Sequence, residues 1–440
     1  MEEINFNAID FLKQYNMDHE QIDMEECCNI FLDEMEKGLE DHGSSLEMIP
    51  TYMETEKEVP VGKKVIVMDA GGTNFRVATV HFDKDGKALI ENFNMFEMPG
   101  VEKEVSKKEF FKTMAGYVSD IIDESDNIGF CFSYPAEIMP NKDGKLIRFS
   151  KEIKAKQVQG QMIGEGLNDA LKSIGKNPKH VVILNDTVTT LLAGRATSSG
   201  QSYDSYIGFI LGTGTNCAYI ESNENIKKQP ELDETKSQII NIESGGFEKA
   251  PIGGIDKQFD KSTINPKEQT FEKMISGAYL GPLILETVKQ AAKDELFSEI
   301  GCQRILALKE LSTKDVNDFL YEPKTGGNPL SIVLTDRSDS MAYLDFATMY
   351  DLIDRMITRS AKLTAINLSS AVLKSGKGTM PGKPVCIVAE GTTFFRLKDF
   401  QSKVEAFLTN YLVSQKGRFY EIISVENATL IGAAIAGLTN

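Results

Sequence analysis

Two glycine-rich turns carry the side chains best suited to hold a phosphate group. The first lies between apolar, β-branched runs within 65–80, a pattern that predicts a β-hairpin. Glycine lets a ligand approach the main chain, and amides and hydroxyls at such a turn can bind phosphate oxygens. A carboxylate ending the incoming strand would orient a metal-bound water, and an arginine adds positive charge. The residues concerned are Asp69, Gly71, Gly72, Thr73, Asn74 and Arg76.

A second copy of this pattern spans 206–220, again as strand, glycine-rich turn and strand. Two such hairpins in the two halves of one chain suggest a duplicated lobe with phosphate held between the copies, as in actin-like ATPases. A P-loop is excluded because no G-x-x-x-x-G-K-[ST] motif occurs. A dinucleotide site is disfavoured because Cys217 stands where its third glycine belongs, and a strand follows instead of a helix. The residues of this turn are Gly212, Thr213, Gly214 and Thr215.

Polar side chains also stand where predicted strands end. In open α/β sheets, ligand groups collect at the carboxyl ends of strands. For Asp186, which precedes a predicted helix over 187–196, a simple N-cap is the alternative interpretation. The predicted strand over 146–151 ends in a hydroxyl and an amine. Each of the other predicted strands in this group ends in a hydroxyl, an amide or a carboxylate. These strand-end residues are Ser133, Ser150, Lys151, Asn185, Asp186 and Glu243.

A long amphipathic helix predicted over 269–293 adds two further polar groups. Gln269 and Glu272 lie one turn apart on it and therefore point in the same direction. A solvated helix charge is the simpler interpretation of Glu272 from spacing alone. Gly391 and Thr392 follow a predicted buried strand over 385–389, and a closing helix rich in small residues is predicted over 430–438.

The elements that position these groups predict two α/β lobes with mixed sheets flanked by helices. The order β-β-β-α-β over 65–134 is typical of such a lobe. We expect residues 1–61 to form N-terminal helices that pack on the large lobe. The small lobe is expected over 62–186, completed by 426–440, and the large lobe over 187–425.

Composition narrows the class of protein. A chain of 440 residues is long enough for two or three domains, and its net charge of −17 argues against nucleic acid or anionic membranes as partners. No apolar run is long enough for a membrane span, and no signal peptide is seen. The six cysteines show no C-x-x-C spacing, which fits a reducing cytoplasm. The four histidines lack metal-ligand spacing, and no G-x-S-x-G motif indicates a serine hydrolase.

Five motifs in one order give a family resemblance. From about residue 20 to its end, the chain resembles the eukaryotic type of the hexokinase/glucokinase family. The resemblance implies a two-lobed actin-like ATPase fold, also called ribonuclease H-like, with a cleft between the lobes. The motifs lie at 69–76, 132–135, 185–187, 212–216 and 265–281.

The resemblance also implies roles for the candidate residues. Asp186 matches the family's catalytic base, and the two glycine turns match its phosphate-binding loops. Gly391, Thr392 and the start of the last helix match its adenosine site. Lys151 and Arg76 would stabilise charge on the transferred group, and Mg²⁺ would accompany ATP with Asp69 contacting it through water. The hexose-binding positions are Ser133, Ser150, Lys151, Asn185, Asp186, Asn216, Glu243, Gln269 and Glu272.

The chain departs from the family in ways that bear on substrate choice. Ser150-Lys151 follows Phe149 where the family usually has Trp-Thr-Lys, and Ser244 replaces a usual Trp after Glu243, so the polar groups are kept. Near the nucleotide, Glu390 replaces a usual Asp, and 427–429 replaces Asp-Gly-Ser. The sugar chemistry therefore looks intact, whereas the nucleotide preference stays open.

The implied function is ATP-dependent phosphorylation of the 6-hydroxyl of a hexose in the cytoplasm, the first step of glycolysis. Glucose is the expected acceptor, with mannose, fructose and glucosamine as alternatives, and a phosphoryl donor other than ATP is an alternative to ATP. A catalytically silent sugar sensor is the alternative function. The presence of both Asp186 and Lys151 argues against it, because a silent copy is free to lose them.

Overall fold

The computed structural model describes residues 7–54, 57–149, 153–197, 202–322, 327–334 and 340–440. The strands in these ranges are β1 (Ile49–Pro50), β2 (Val65–Gly71), β3 (Asn74–Phe82), β4 (Ala88–Glu97), β5 (Asn127–Phe132), β6 (Ala136–Ile138), β7 (Gly144–Leu146), β8 (His180–Leu184), β9 (Ser205–Leu211), β10 (Thr215–Ser222), β11 (Ser237–Asn241), β12 (Val385–Glu390) and β13 (Tyr420–Ile423).

The α-helices of the described residues are α1 (Ala8–Gln14), α2 (Met24–Glu40), α3 (Lys107–Val118), α4 (Ile163–Ser173), α5 (Asp186–Thr197), α6 (Gly254–Ser262), α7 (Thr270–Ile275), α8 (Leu280–Lys293), α9 (Glu299–Leu306), α10 (Thr313–Tyr321), α11 (Ser340–Lys374), α12 (Thr392–Arg396), α13 (Phe400–Leu408) and α14 (Ala428–Thr439). None of them combines the length and apolarity that crossing a membrane requires.

The two main sheets repeat one topology. The five-stranded sheet has the order β4-β3-β2-β5-β8, and the six-stranded sheet has the order β1-β11-β10-β9-β12-β13. Apart from the short β1 of the six-stranded sheet, three antiparallel strands come first along the chain in each sheet, and two parallel strands then extend the opposite edge. The repeat confirms the predicted fold class, a two-lobed α/β protein with mixed sheets flanked by helices.

Both predicted hairpins are confirmed. In the first, Asp69 pairs with Arg76 and Gly71 pairs with Asn74 across the turn. Gly72 has a φ of 59°, a left-handed conformation that glycine adopts without a Cβ penalty. In the second hairpin, β9 pairs with β10 up to the turn over 212–214. The two turns therefore occupy equivalent places in the two sheets.

Helices α5 and α14 connect the two sheets. They share one apolar cluster with side chains from both sheets, including Val67 of β2 and Val388 of β12. The helices approach each other at backbone level, since a Cβ on Gly432 would lie 1.9 Å from the carbonyl oxygen of Thr189. The small residues predicted in the closing helix are therefore explained by close packing.

The N-terminal helices α1 and α2 share the core beside the six-stranded sheet. The ring of Phe31 lies 4.5 Å from that of Phe247, measured between centroids. β1 then pairs with the outer strand β11 of the same sheet. On this basis we propose to keep the lobe boundaries at 1–61, 62–186 with 426–440, and 187–425.

Some predicted elements differ in the structure. The single helix predicted over 269–293 is wrong, because α7 ends at Ile275 and α8 begins at Leu280. The amides of Gly277 and Ala278, in the break, donate to the carbonyl oxygens of Gly212 and Thr213. The strand predicted over 146–151 is also wrong in part, since β7 ends at residue 146.

Candidate active site

A cleft of about 740 Å³ brings together most of the residues expected to bind a hexose. The strand-end positions and the glycine turn of β9–β10 line its walls, so side chains distant in sequence face one space. Ser150 and Lys151, expected at the same site, lie outside the described residues. The expected residues that line the cleft are Ser133, Asn185, Asp186, Asn216, Glu243, Gln269 and Glu272.

Amides and a carboxylate form a buried network at the cleft. Nδ2 of Asn216 donates to Oδ1 of Asn241 at 2.8 Å and lies 3.3 Å from Oδ1 of Asn185. Nδ2 of Asn241 in turn donates to Oε1 of Glu243 at 2.8 Å. Fixed amides that orient a carboxylate are suited to a ligand with several hydroxyl groups, because each hydroxyl both donates and accepts.

The carboxyl group of Glu243, which belongs to this network, has a raised pKa. Burial raises the pKa of its carboxyl to about 7, and the negative charge of Glu47 raises it further in the same direction. Its backbone has a φ of 57° two residues after β11, so the strand predicted to lead into it ends at Asn241. The carboxyl can therefore change its charge near neutral pH while facing the cleft.

This burial predicts a cost in stability. The folded-state pKa lies above the ordinary value, so ionisation of Glu243 is penalised above about pH 7, and the penalty is absent below about pH 4.5. We expect Glu243→Gln to raise the free energy of unfolding by about 1–3 kcal/mol at pH 8 and by less at pH 5. Urea denaturation at both pH values measures it. Glu248→Gln, on an exposed carboxylate, is the control, and a variant no more stable than the native protein at pH 8 contradicts the prediction.

Asp186 and Asn185 sit at the start of α5. The helix begins at Asp186 itself, one residue earlier than predicted. Oδ1 of Asp186 accepts a hydrogen bond from the amide of Thr187 at 2.9 Å. Oδ1 of Asn185 accepts hydrogen bonds from both the amide and the hydroxyl of Thr187. The helix N-terminus favours the charged carboxylate. Asn185 is therefore the N-cap, because its oxygen accepts the amide two residues on, whereas Asp186 is the first residue of the helix and lines the cleft.

Glu272 links the cleft to the second glycine turn. Its Oε2 accepts the amide of Thr215 at 2.9 Å. A Cβ on Gly214 would lie 2.5 Å from that oxygen, so a larger residue there would displace the carboxylate of Glu272. The turn is held from behind by the hydroxyl of Thr393, which donates to the carbonyl oxygen of Gly212. Glu272 is therefore part of the cleft rather than a solvated helix charge.

Asp69 and Arg76 form an ion pair beside the first glycine turn. The hydroxyl of Thr429, at the start of α14, donates to Oδ2 of Asp69 at 2.8 Å. The hydroxyl of Tyr134 donates to the carbonyl oxygen of Gly72 at 3.0 Å and supports the turn. A buried carboxylate thus fixes the guanidinium of Arg76 beside the loop expected to bind phosphate.

The expected adenosine region lies where β12 meets the second turn. Gly391 has a φ of 113°, and a Cβ there would lie 2.2 Å from the carbonyl oxygen of Leu211. Thr392, which follows it, begins α12 and is exposed. Burial raises the pKa of Glu390, and its Oε1 accepts a hydrogen bond from the hydroxyl of Ser424 at 3.4 Å.

Comparison with known proteins agrees with this geometry. Two family models, each described as hexokinase, match residues 7–196 and 206–439. The chain belongs to the hexokinase family. It is therefore a hexose kinase that uses ATP, and the resemblance predicted from the motifs is confirmed.

Similar proteins cover nearly the whole chain. Hexokinase-7 of Oryza sativa subsp. japonica is 28% identical over 424 residues, which is 91% of this chain and 90% of the rice protein. A hexokinase of Schistosoma mansoni is 30% identical over 336 residues, 72% of each chain. The structure of a Schistosoma mansoni hexokinase complexed with glucose matches with a TM-score of 0.79 at 23% identity, covering 98% of each chain, and shows the same fold.

The first turn of this hexokinase leaves one carboxylate oxygen available to a metal ion or its water. Oδ2 of Asp69 is occupied by Arg76 and Thr429. The other oxygen, Oδ1, faces Gly71: it lies 3.6 Å from the place that a Cβ on this glycine would occupy. Within the described ranges, no group donates a hydrogen bond to it. One free carboxylate oxygen suits Mg²⁺, which usually keeps several of its waters.

The contact between β12 and the second turn predicts that Gly391 cannot be replaced. In Gly391→Ala, the methyl group would collide with the Leu211 carbonyl at a φ that alanine rarely adopts. We expect the free energy of unfolding to fall by about 2–4 kcal/mol, with a higher KM for ATP. Thermal melting and ATP titration measure both. Gly382→Ala, at a site with no neighbouring atoms within 4 Å, is the control, and equal stability of the two variants contradicts the prediction.

Sequence reasoning missed three groups at this site. Asn241 lies two residues before Glu243, so period-two alternation along the strand was a usable signal. Arg148 lines the cleft and pairs with Glu47 at 3.3 Å, joining two segments a hundred residues apart. No local pattern marks such a pair, because both residues lie outside the motifs that carry the resemblance.

Proposed function

We propose that this hexokinase transfers the γ-phosphoryl group of ATP to the 6-hydroxyl of glucose, the first step of glycolysis, in the cytoplasm. One observation carries the proposal: Asp186 lines a cleft together with fixed amides and carboxylates. The second of two matching glycine turns borders the same cleft. The six cysteines, all free, fit a reducing compartment.

In the proposed sugar site, the buried network recognises the hydroxyl groups of the sugar through hydrogen bonds. Asn185, Asn216, Glu243 and Glu272 present acceptors and donors whose orientations are already fixed by hydrogen bonds. Fixed polar groups reject an analogue that lacks a matching hydroxyl, by roughly 10⁴-fold in favourable cases, because they would be left unpaired. Ser133, Gln269 and the undescribed Ser150 and Lys151 complete the proposed set.

In the proposed reaction, Asp186 accepts the proton of the 6-hydroxyl as the oxygen attacks the γ-phosphorus. The bond from that phosphorus to the β–γ bridging oxygen breaks, and ADP leaves. Arg76 and Lys151 stabilise the negative charge on the transferred group. Both glycine turns bind phosphate oxygens with main-chain amides and with the hydroxyls of Thr73 and Thr213, whereas the hydroxyl of Thr215 donates to the carbonyl oxygen of Ile210 and supports the turn.

Mg²⁺ bound with ATP would neutralise charge on the β- and γ-oxygens, and Asp69 would hold it through water. Asn74 and the amides of Gly71 and Gly72 would line the same side of the nucleotide. Gly391 and Thr392 would border the adenosine. These assignments define what each side of the cleft contributes: one binds the sugar and supplies the base, and the other fixes the triphosphate.

A turnover assay with matched sugars and donors tests the proposal. Sugar phosphate formation is measured with glucose, mannose, fructose and glucosamine against ATP, and with glucose against GTP and pyrophosphate. We expect the highest kcat/KM for glucose with ATP, and a product identified as the 6-phosphate by NMR. Glucose binding without sugar-dependent ADP formation would contradict the proposal and favour a sugar sensor. A higher kcat/KM for another sugar or donor would correct the specificity.

A further inference from the structure

A second cavity lies behind the helix that carries the expected sugar-binding residues Gln269 and Glu272. Its volume is about 310 Å³, within the range of small-molecule pockets. Its walls come from α6, the loop over 263–269 and α7, and much of its lining is apolar. The apolar side chains are Ile252, Phe259, Pro266 and Met274.

Three lysines surround this apolar pocket. Lys257 and Lys261 lie one turn apart on the same face of α6, and Lys267 lies on the opposite loop. All three are exposed, and their ammonium groups form no ion pair within the described part of the chain. Three unpaired cations around one pocket are unexpected in a protein with a net charge of −17.

The acidic residues of the pocket are already neutralised. Asp260 accepts the buried ammonium group of Lys273 at 2.6 Å. Asp256 pairs with the buried guanidinium of Arg359 through both carboxylate oxygens. Glu268, next to Lys267 in sequence, lines the cleft and not this pocket. The mouth of the pocket therefore keeps a positive charge over an apolar floor.

We propose that this pocket binds a small amphipathic anion, with an aliphatic body on the apolar floor and a carboxylate or phosphate monoester at the lysines. The apolar lining excludes a fully hydrophilic ligand from most of the volume. The unpaired ammonium groups favour an anionic head over a neutral or cationic one. Its volume suits an aliphatic body of several carbons.

The pocket and the cleft share their dividing wall. Lys273 of α7 lines both spaces. Thr270 and Met274 line the pocket, whereas Gln269 and Glu272 line the cleft. Lys273 also bonds the carbonyl oxygen of Asn265 at 2.6 Å, so the loop over 263–269 is fixed to the same helix. We therefore expect binding at the pocket and at the cleft to be coupled, and such coupling is reciprocal.

Calorimetric titration with octanoate, without sugar or nucleotide, tests the binding site independently of any kinase activity. We expect a Kd below about 1 mM at low salt, at least tenfold weaker binding by Lys257→Glu/Lys261→Glu, and no binding of octylammonium. Hexyl phosphate, as a second probe, shows which head group is preferred. Lys84→Glu/Lys87→Glu, in the exposed turn before β4, makes the same charge change elsewhere and should bind octanoate like the native protein.

No binding of either anion by the native protein, or equal octanoate affinity in the two double variants, would overturn the proposal. Octanol binding as tightly as octanoate would overturn the role of the lysines. The coupling rests on the proposed kinase function and has its own test. Saturating octanoate should change the KM for glucose at least twofold in the native enzyme and not in Lys257→Glu/Lys261→Glu. An unchanged KM would refute the coupling alone.

Discussion

Replacing Asp186 with alanine is expected to lower kcat for glucose phosphorylation by about 10²–10⁴-fold, the usual contribution of a general base. The carboxylate lines the cleft and accepts a hydrogen bond from the amide of Thr187. Its removal therefore takes away the proposed proton acceptor and one bond of a helix end. Steady-state ADP release at saturating glucose and ATP measures the loss.

Asp186→Asn separates the two roles of this side chain. Asparagine keeps the size and the oxygen that accepts the amide of Thr187, but it cannot accept the proton. We expect kcat to fall as far as in Asp186→Ala, with a melting temperature close to that of the native protein. Asp169→Ala, on an exposed residue of α4, is the control for an unrelated carboxylate. Activity within tenfold of the native value in Asp186→Asn would contradict the assignment.

Replacing Arg76 with methionine is expected to lower kcat by about 10²–10³-fold, comparable to the loss of a preorganised charge at a transition state. The ion pair with Asp69 fixes the guanidinium beside the first glycine turn, so little reorganisation is needed during the reaction. Among the described residues, the change also leaves the buried carboxylate of Asp69 with only Thr429 as a side-chain partner. A higher KM for ATP should therefore accompany the lower kcat.

Arg76→Lys keeps the charge and should recover part of the activity, whereas methionine should not. The KM for glucose should stay within about threefold in both variants, because Arg76 does not line the cleft that holds the sugar residues. Measuring kcat and both KM values separates this result from general destabilisation. Equal activity of the lysine and methionine variants would contradict a role based on charge.

Much of the fold followed from local patterns. The hairpins were predictable because glycine turns between β-branched runs are determined by neighbouring residues, and their repetition indicated two similar sheets. The break between α7 and α8 was not predictable in this way. It depends on amides of Gly277 and Ala278 donating to a turn more than sixty residues earlier in the chain. Only the tertiary contact shows that the helical pattern stops there.

The site was predicted better by residue type than by environment. Asn185, Asn216 and Glu243 were named from strand ends and motif positions, and the structure places them in one network. The raised pKa of Glu243 was not predictable, because it arises from burial and from Glu47 of a distant segment. The ion pair of Glu47 with Arg148 was missed for the same reason.

The most direct test is a crystal structure of this hexokinase with glucose and a non-hydrolysable ATP analogue. The account predicts a carboxylate oxygen of Asp186 within about 3.2 Å of the 6-hydroxyl oxygen, with the γ-phosphate between the turns over 71–74 and 212–215. A 6-hydroxyl beyond reach of Asp186, or a triphosphate bound away from either turn, would contradict it.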